Sequence, residues 1–143
     1  MKILYKHILR FLEEKPSIED ISNKLFQLGH ENEIVDEIID IEFTPNRGDC
    51  LSVYGIARDL GVFYKFKKFL DIQNDNIEPL QIEFNNKSPQ DCPFIIFLNI
   101  EIDGEIKKYQ PYLEDYFQNL GVKKNNFFTD ISNYLAYEIG QPT

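Results

Sequence analysis

Thr44-Pro45-Asn46-Arg47-Gly48-Asp49-Cys50-Leu51-Ser52 is the stretch whose reading decides the fold. Upstream of it, Ile39, Ile41 and Phe43 alternate with Asp40 and Glu42, so Glu37 to Phe43 has the two-residue period of a half-buried strand. Downstream, Val53, Ile56, Ala57 and Leu60 recur at helical spacing until Gly61 offers a stop. Thr44-Pro45 ends the strand and Asp49 is the expected cap of the helix, which makes the stretch a fixed strand-to-helix junction. A second stretch follows the same grammar. Asp130-Ile131-Ser132-Asn133-Tyr134 closes on Gly140-Gln141-Pro142, with Asp130 as the expected cap of a last helix that turns Ile131, Leu135 and Ile139 inward.

Working outward from the first junction, Ile3, Leu4, Ile8, Phe11 and Leu12 predict an opening helix. Pro16-Ser17 then resets the chain. Ser17 is the expected cap of a second helix, with Asp20 three residues on, Ile18, Ile21, Leu25 and Leu28 on one face, and Gly29 at its end. Leu80, Ile82 and Phe84 alternate briefly, Phe94 to Ile102 reads as a strongly apolar strand, and Asp103-Gly104 is a hairpin-type turn signal. Pro111 opens a helix carrying Leu113, Tyr116, Phe117 and Leu120 before Gly121. The expected class is α+β: a small helix-helix-strand-helix module at 1–70, a linker at 71–92 rich in Asp, Asn, Gln, Ser and Pro, and a partial strand/helix module at 93–143.

Composition narrows the function. Fifteen Lys plus Arg against twenty-four Asp plus Glu give a formal charge of −9, so the average field repels phosphate and any nucleic-acid contact needs a local basic patch. Lys65, Lys67 and Lys68, interleaved with Tyr64, Phe66 and Phe69, are the candidate RNA contacts. The bland alternative is an element end with rings inward and lysines solvated. Cys50 and Cys92 stand apart, with no Cys-x-x-Cys and no signal-peptide core before them, which predicts buried or half-buried free thiols in a cytoplasmic chain. His7 and His30 are isolated, and no phosphate loop occurs. Asp71-Ile72-Gln73-Asn74-Asp75 has the oxygen-rich start of a calcium loop, yet Asn76 and Ile82 stand where that loop needs Gly and Glu. Asn46, Arg47 and Asp49 form a compact polar group in which Arg47 clamps an anion or, more simply, pairs with Asp49. No catalytic, cofactor or metal residue is expected, and no apolar run approaches a membrane span.

The run Ile41 to Leu60, together with Cys92-Pro93, Gly121, Asp130-Ile131-Ser132-Asn133-Tyr134 and Glu138-Ile139-Gly140-Gln141-Pro142, resembles the beta subunit of bacterial phenylalanyl-tRNA synthetase, collinearly over nearly the whole chain. In the common family form an OB-fold is inserted after the segment matching Gly29-His30-Glu31; here only a few residues separate Gly29 from the Glu37 strand. The family continues past Gly-Gln-Pro into the rest of an editing domain and further modules. The resemblance implies that aminoacylation belongs to the alpha subunit, that editing residues lie downstream of Pro142, and that ATP and magnesium act through parts outside this chain. It therefore implies a truncated or partial beta subunit, inactive alone, with the alpha subunit and tRNA(Phe) as partners. Asn46, Arg47 and Asp49 fix the first junction under this reading, and Asp130, Asn133 and Gln141 the second. Two alternatives stand beside it: a free-standing, self-associating protein-interaction module, and a weak RNA-binding module.

Overall fold

The computed structural model describes residues 1–67, 80–104, 106 and 108–143. Two compact units are present, one made of Met1–Phe69 with Lys108–Thr143 and one of Leu70–Lys107. Among the described residues, five helices and a three-stranded antiparallel sheet make a small α+β module.

In the first unit the order is β1 (Lys2–Leu4), α1 (Tyr5–Ile8), α2 (Ile18–Gln27), β2 (Glu31–Val35), β3 (Ile38–Glu42), a 3-10 turn (Gly48–Cys50), α3 (Val53–Leu60), α4 (Pro111–Leu120) and α5 (Phe127–Ile139). β3 lies at the centre of the sheet, pairing with β1 through Ile3↔Ile39 and with β2 through Ile34↔Ile39. Alternation therefore sends Ile39 and Ile41 into the core beside Ile3, Leu25, Ile56 and Leu60. β2 and β3 are joined at Asp36-Glu37, where Asp36 takes a positive φ of 56°, a conformation that Asp tolerates better than most residues.

The opening helix expected from Ile3 to Leu12 is corrected. Ile3 and Leu4 are strand residues, only Tyr5–Ile8 is helical, and Leu12 forms an isolated bridge with Phe66. The ladder to β3 overrides a spacing that suits a helix equally well. Ser17 caps α2 as expected by accepting from the Asp20 N–H at 3.2 Å, and Gly29 follows with a φ of +87°. Pro111 opens α4, and Gly121 ends it in the left-handed region.

Both aspartate caps are corrected as well. Ser52, not Asp49, caps α3, accepting from the Gly55 N–H at 3.0 Å. Asn126, not Asp130, caps α5, accepting from the Thr129 N–H at 3.2 Å. Asp130 is fully buried one turn further in, where its carboxylate accepts from the Asn125 N–H at 2.9 Å and the Tyr109 hydroxyl at 2.7 Å. The inward face of α5 is Asp130, Tyr134 and Tyr137, while Ile131, Leu135 and Ile139 are half-buried.

In the second unit, neither Leu80–Phe84 nor Phe94–Ile102 is a strand. Gly104 has the positive φ of a turn, but no ladder flanks it among the described residues. A strand needs a hydrogen-bonded neighbour, which β-propensity alone does not supply. Cys92, whose thiol is expected to be at least half covered, is exposed.

Candidate functional site: a braced junction

β3 ends at Glu42 and the chain turns at Pro45-Asn46, with the Arg47 N–H donating to Thr44 O at 2.9 Å. Cys50 N–H donates back to Arg47 O at 3.0 Å, and α3 begins after the Ser52 cap. This path places the Arg47 side chain in the middle of a network. Its Nε and Nη2 form a two-pronged pair with Asp49 at 3.0 and 3.1 Å. Nη2 also donates to the Asp59 carboxylate and to Cys50 Sγ. Arg58 donates to Asp49 and, at 3.2 Å, to Asp59, and His30 Nε2 lies 3.3 Å from Asp59. Two arginines face two aspartates, so the cluster balances its own charge.

The electrostatics follow from these contacts. Arg47, then burial opposing it, then Arg58 set the Asp49 carboxyl, and the net result is well below the usual carboxylate range. Burial pulls Asp59 upward, but hydrogen bonds from Arg47, His30, Arg58 and Cys50 outweigh it and hold Asp59 low. Burial, reinforced by Asp59, pushes the Cys50 thiol up to about 12, the opposite of an activated nucleophile.

His30, Cys50 and Asp59 offer ligand atoms within 4.8 Å of one another. A structural zinc wants four ligands, whereas three are offered here and the Arg47 guanidinium already serves both Cys50 and Asp59. The group is a brace built around an arginine. Arg47→Ala is expected to lower stability by about 2 kcal/mol, because it strips a charged partner from a mostly buried Asp59 that Arg58 and His30 serve only in part. Urea unfolding of the two proteins measures this, with Arg47→Lys recovering part of the loss.

The two junctions meet in space. Gly140, the left-handed stop of α5 with a φ of +74°, lies so close to Ser52 that an added Cβ would stand 3.2 Å from its Oγ. Between them runs a groove of about 570 Å³ lined by Asp49, Leu51 and Arg58 on one side and Ile139, Gln141 and Pro142 on the other. Asn46 and Asn133 are exposed on the turn and on α5. Sequence reasoning found Arg47 and Asp49 but missed Asp59, Arg58, Cys50 and His30 as their partners. The available signal was Asp59, three residues after Ile56 and next to Leu60 at the edge of the apolar face of α3.

Lys65 Nζ pairs with Glu13 at 2.7 Å, and Lys67 Nζ donates to Leu9 O at 3.3 Å, while Phe66 stacks on Phe11. Lys68, Phe69 and the Asp71–Asp75 stretch lie outside the described residues. Among the described residues no helix is long and apolar enough to cross a membrane.

Fold and network together define a small α+β module in which the clustered acids, arginines and thiol of the junction brace one another. Sequence comparison places that module. The chain is a relative of phenylalanine–tRNA ligase beta subunits, as the resemblance carried by Ile41–Leu60 and Asp130–Pro142 indicated. It is 35% identical to the subunit of Rickettsia typhi over 111 residues, 75% of this chain and 13% of that protein. The Gluconobacter oxydans subunit is 35% identical over 113 residues, 77% of this chain and 13% of that protein. With the Ehrlichia ruminantium subunit the identity is 32% over 142 residues, 87% of this chain and 16% of that protein. The chain thus spans roughly an eighth to a sixth of these relatives. No family model matches it, and no solved structure does.

Proposed function

We propose that this chain is a non-catalytic part of a phenylalanine–tRNA ligase beta subunit, serving assembly and tRNA handling while the chemistry and its ATP and magnesium reside elsewhere. The observation that carries this reading is the Arg47 network, in which the acids and the thiol are neutralised or held protonated by their neighbours. Such a cluster fixes a turn and supplies neither a nucleophile nor a proton acceptor of useful pKa. The run of identity with ligase beta subunits supports the partners: an alpha subunit and tRNA(Phe). Lys65 is neutralised by Glu13, so the tRNA contribution rests on shape and assembly more than on this basic stretch.

The purified chain is expected to give background rates in phenylalanine-dependent pyrophosphate exchange and in deacylation of mischarged tRNA(Phe), and to be retained by an immobilised ligase alpha subunit from a bacterium such as Rickettsia typhi, whose beta subunit it resembles. Robust turnover in either assay overturns the non-catalytic role. Failure of retention overturns the assembly role.

A further inference from the structure

The first unit is broken in the chain but continuous in its core. Met1–Phe69 and Lys108–Thr143 form it together, while Leu70–Lys107 form the other unit. Leu113, Tyr116 and Phe117 of α4 and Tyr134 and Tyr137 of α5 are buried in one cluster with Ile3, Ile8 and Ile56. α4 packs on β1, and α5 packs on α3. Polar contacts cross the same seam. The Leu4 N–H donates to the Tyr137 hydroxyl at 3.2 Å, Arg10 donates to the Tyr134 hydroxyl at 2.6 Å and to the Glu138 carboxylate, and Lys6 pairs with Asp115 at 2.7 Å. At the far end Gly140 rests against Ser52.

We propose that residues 1–67 present a docking surface for the α4–α5 helix pair and hold it by non-covalent contacts alone, so that the pair stays seated when the chain between them is cut. Area supports this. Five buried large side chains of on the order of 200 Å² each remove about 1,000 Å² on the helix side, and although Tyr116 and Tyr137 shield part of this for one another, the scale is that of the roughly 800 Å² per partner in a specific interface. The seam also has a register. It is pinned at one end by Leu4 with Tyr137 and at the other by Ser52 with Gly140, so the helices fit in one orientation. This docking is independent of any contact with an alpha subunit.

The full chain tests this when a site-specific protease sequence is inserted between Leu98 and Asn99, two exposed residues of the second unit, and then cleaved. The two pieces are expected to co-elute in size exclusion at micromolar concentration and to keep the circular dichroism of the uncut protein. Dilution of the cut protein gives the Kd of the pair. Tyr137→Phe keeps the ring but leaves the Leu4 N–H without its acceptor, and should raise that Kd about tenfold while the uncut variant stays folded. Phe128→Ala, on the exposed side of the same helix, should leave it unaltered. Pieces that separate or precipitate on cleavage, or a cut protein held equally tightly with Tyr137→Phe, would each overturn the proposal.

Discussion

Gly55→Ala is expected to destabilise the first unit by about 3 kcal/mol or more, although on helix propensity alone alanine should stabilise α3 by about 1 kcal/mol. The sign is decided by a close approach of backbone. A Cβ on Gly55 would stand 2.1 Å from the Asp49 carbonyl oxygen and 3.0 Å from the Cys50 Cα. Neither neighbour is the yielding end of a side chain. The Asp49-Cys50 backbone is held by Cys50 N–H to Arg47 O and Leu51 N–H to Gly48 O, and the side chains on either side belong to the Arg47 brace. Making room therefore means moving the 3-10 turn away from α3, and with it the contacts of Asp49 and Cys50. Gly48 is the control: a Cβ there meets nothing within 4 Å, so Gly48→Ala should stay within about 0.5 kcal/mol. Urea unfolding midpoints separate the two, and a Gly55→Ala protein as stable as the parent sinks the argument. Since small domains hold only about 5–15 kcal/mol in total, the loss is a large share of the whole.

The local parts of this fold are legible because their causes are local. Ser17 and Gly29 bracket α2, Gly61 follows α3, and Pro111 and Gly121 bracket α4, each by a cap, a stop or a fixed φ that acts within a few residues. β2 leaves no such mark. Glu31, Asn32 and Glu33 are polar, and they are a strand because β3 offers them a ladder. Phe94 to Ile102 is the inverse case, with strand-like residues and no ladder to join among those described. The site divides in the same way. Arg47 and Asp49 are two residues apart and pair as their spacing suggests, whereas His30 and Asp59 reach them only through the fold. The meeting of Ser52 with Gly140 spans 88 positions of chain, and nothing near either residue announces the other.

The pH dependence of stability is the second large effect, and it centres on His7. This side chain is buried against α5, edge-on to the rings of Tyr134 and Tyr137. Tyr137 accepts from the Leu4 N–H at 3.2 Å, so its own proton is free for His7 Nδ1, also at 3.2 Å. That arrangement suits a neutral imidazole and leaves Nε2 without a hydrogen-bond partner. Burial is the main reason protonation is resisted. Arg10 and Lys6 add to the resistance, while Asp115 and the Tyr112 backbone oppose it weakly, and the pKa falls from 6.5 to about 4. An unfolded chain takes up this proton near 6.5 and the folded one only near 4. Stability is therefore fully present above about pH 6.5 and is lost as the pH falls toward 4, by about 3 kcal/mol at 1.36 kcal/mol per unit. Asp49 and Asp59, held below the usual carboxylate range by the Arg47 brace, add their own loss only at lower pH. Urea unfolding across this window should show the decline in the parent and a nearly flat profile in His7→Phe, which keeps the ring and removes the proton site. An equal decline in both proteins would place the titrating group elsewhere and refute the assignment.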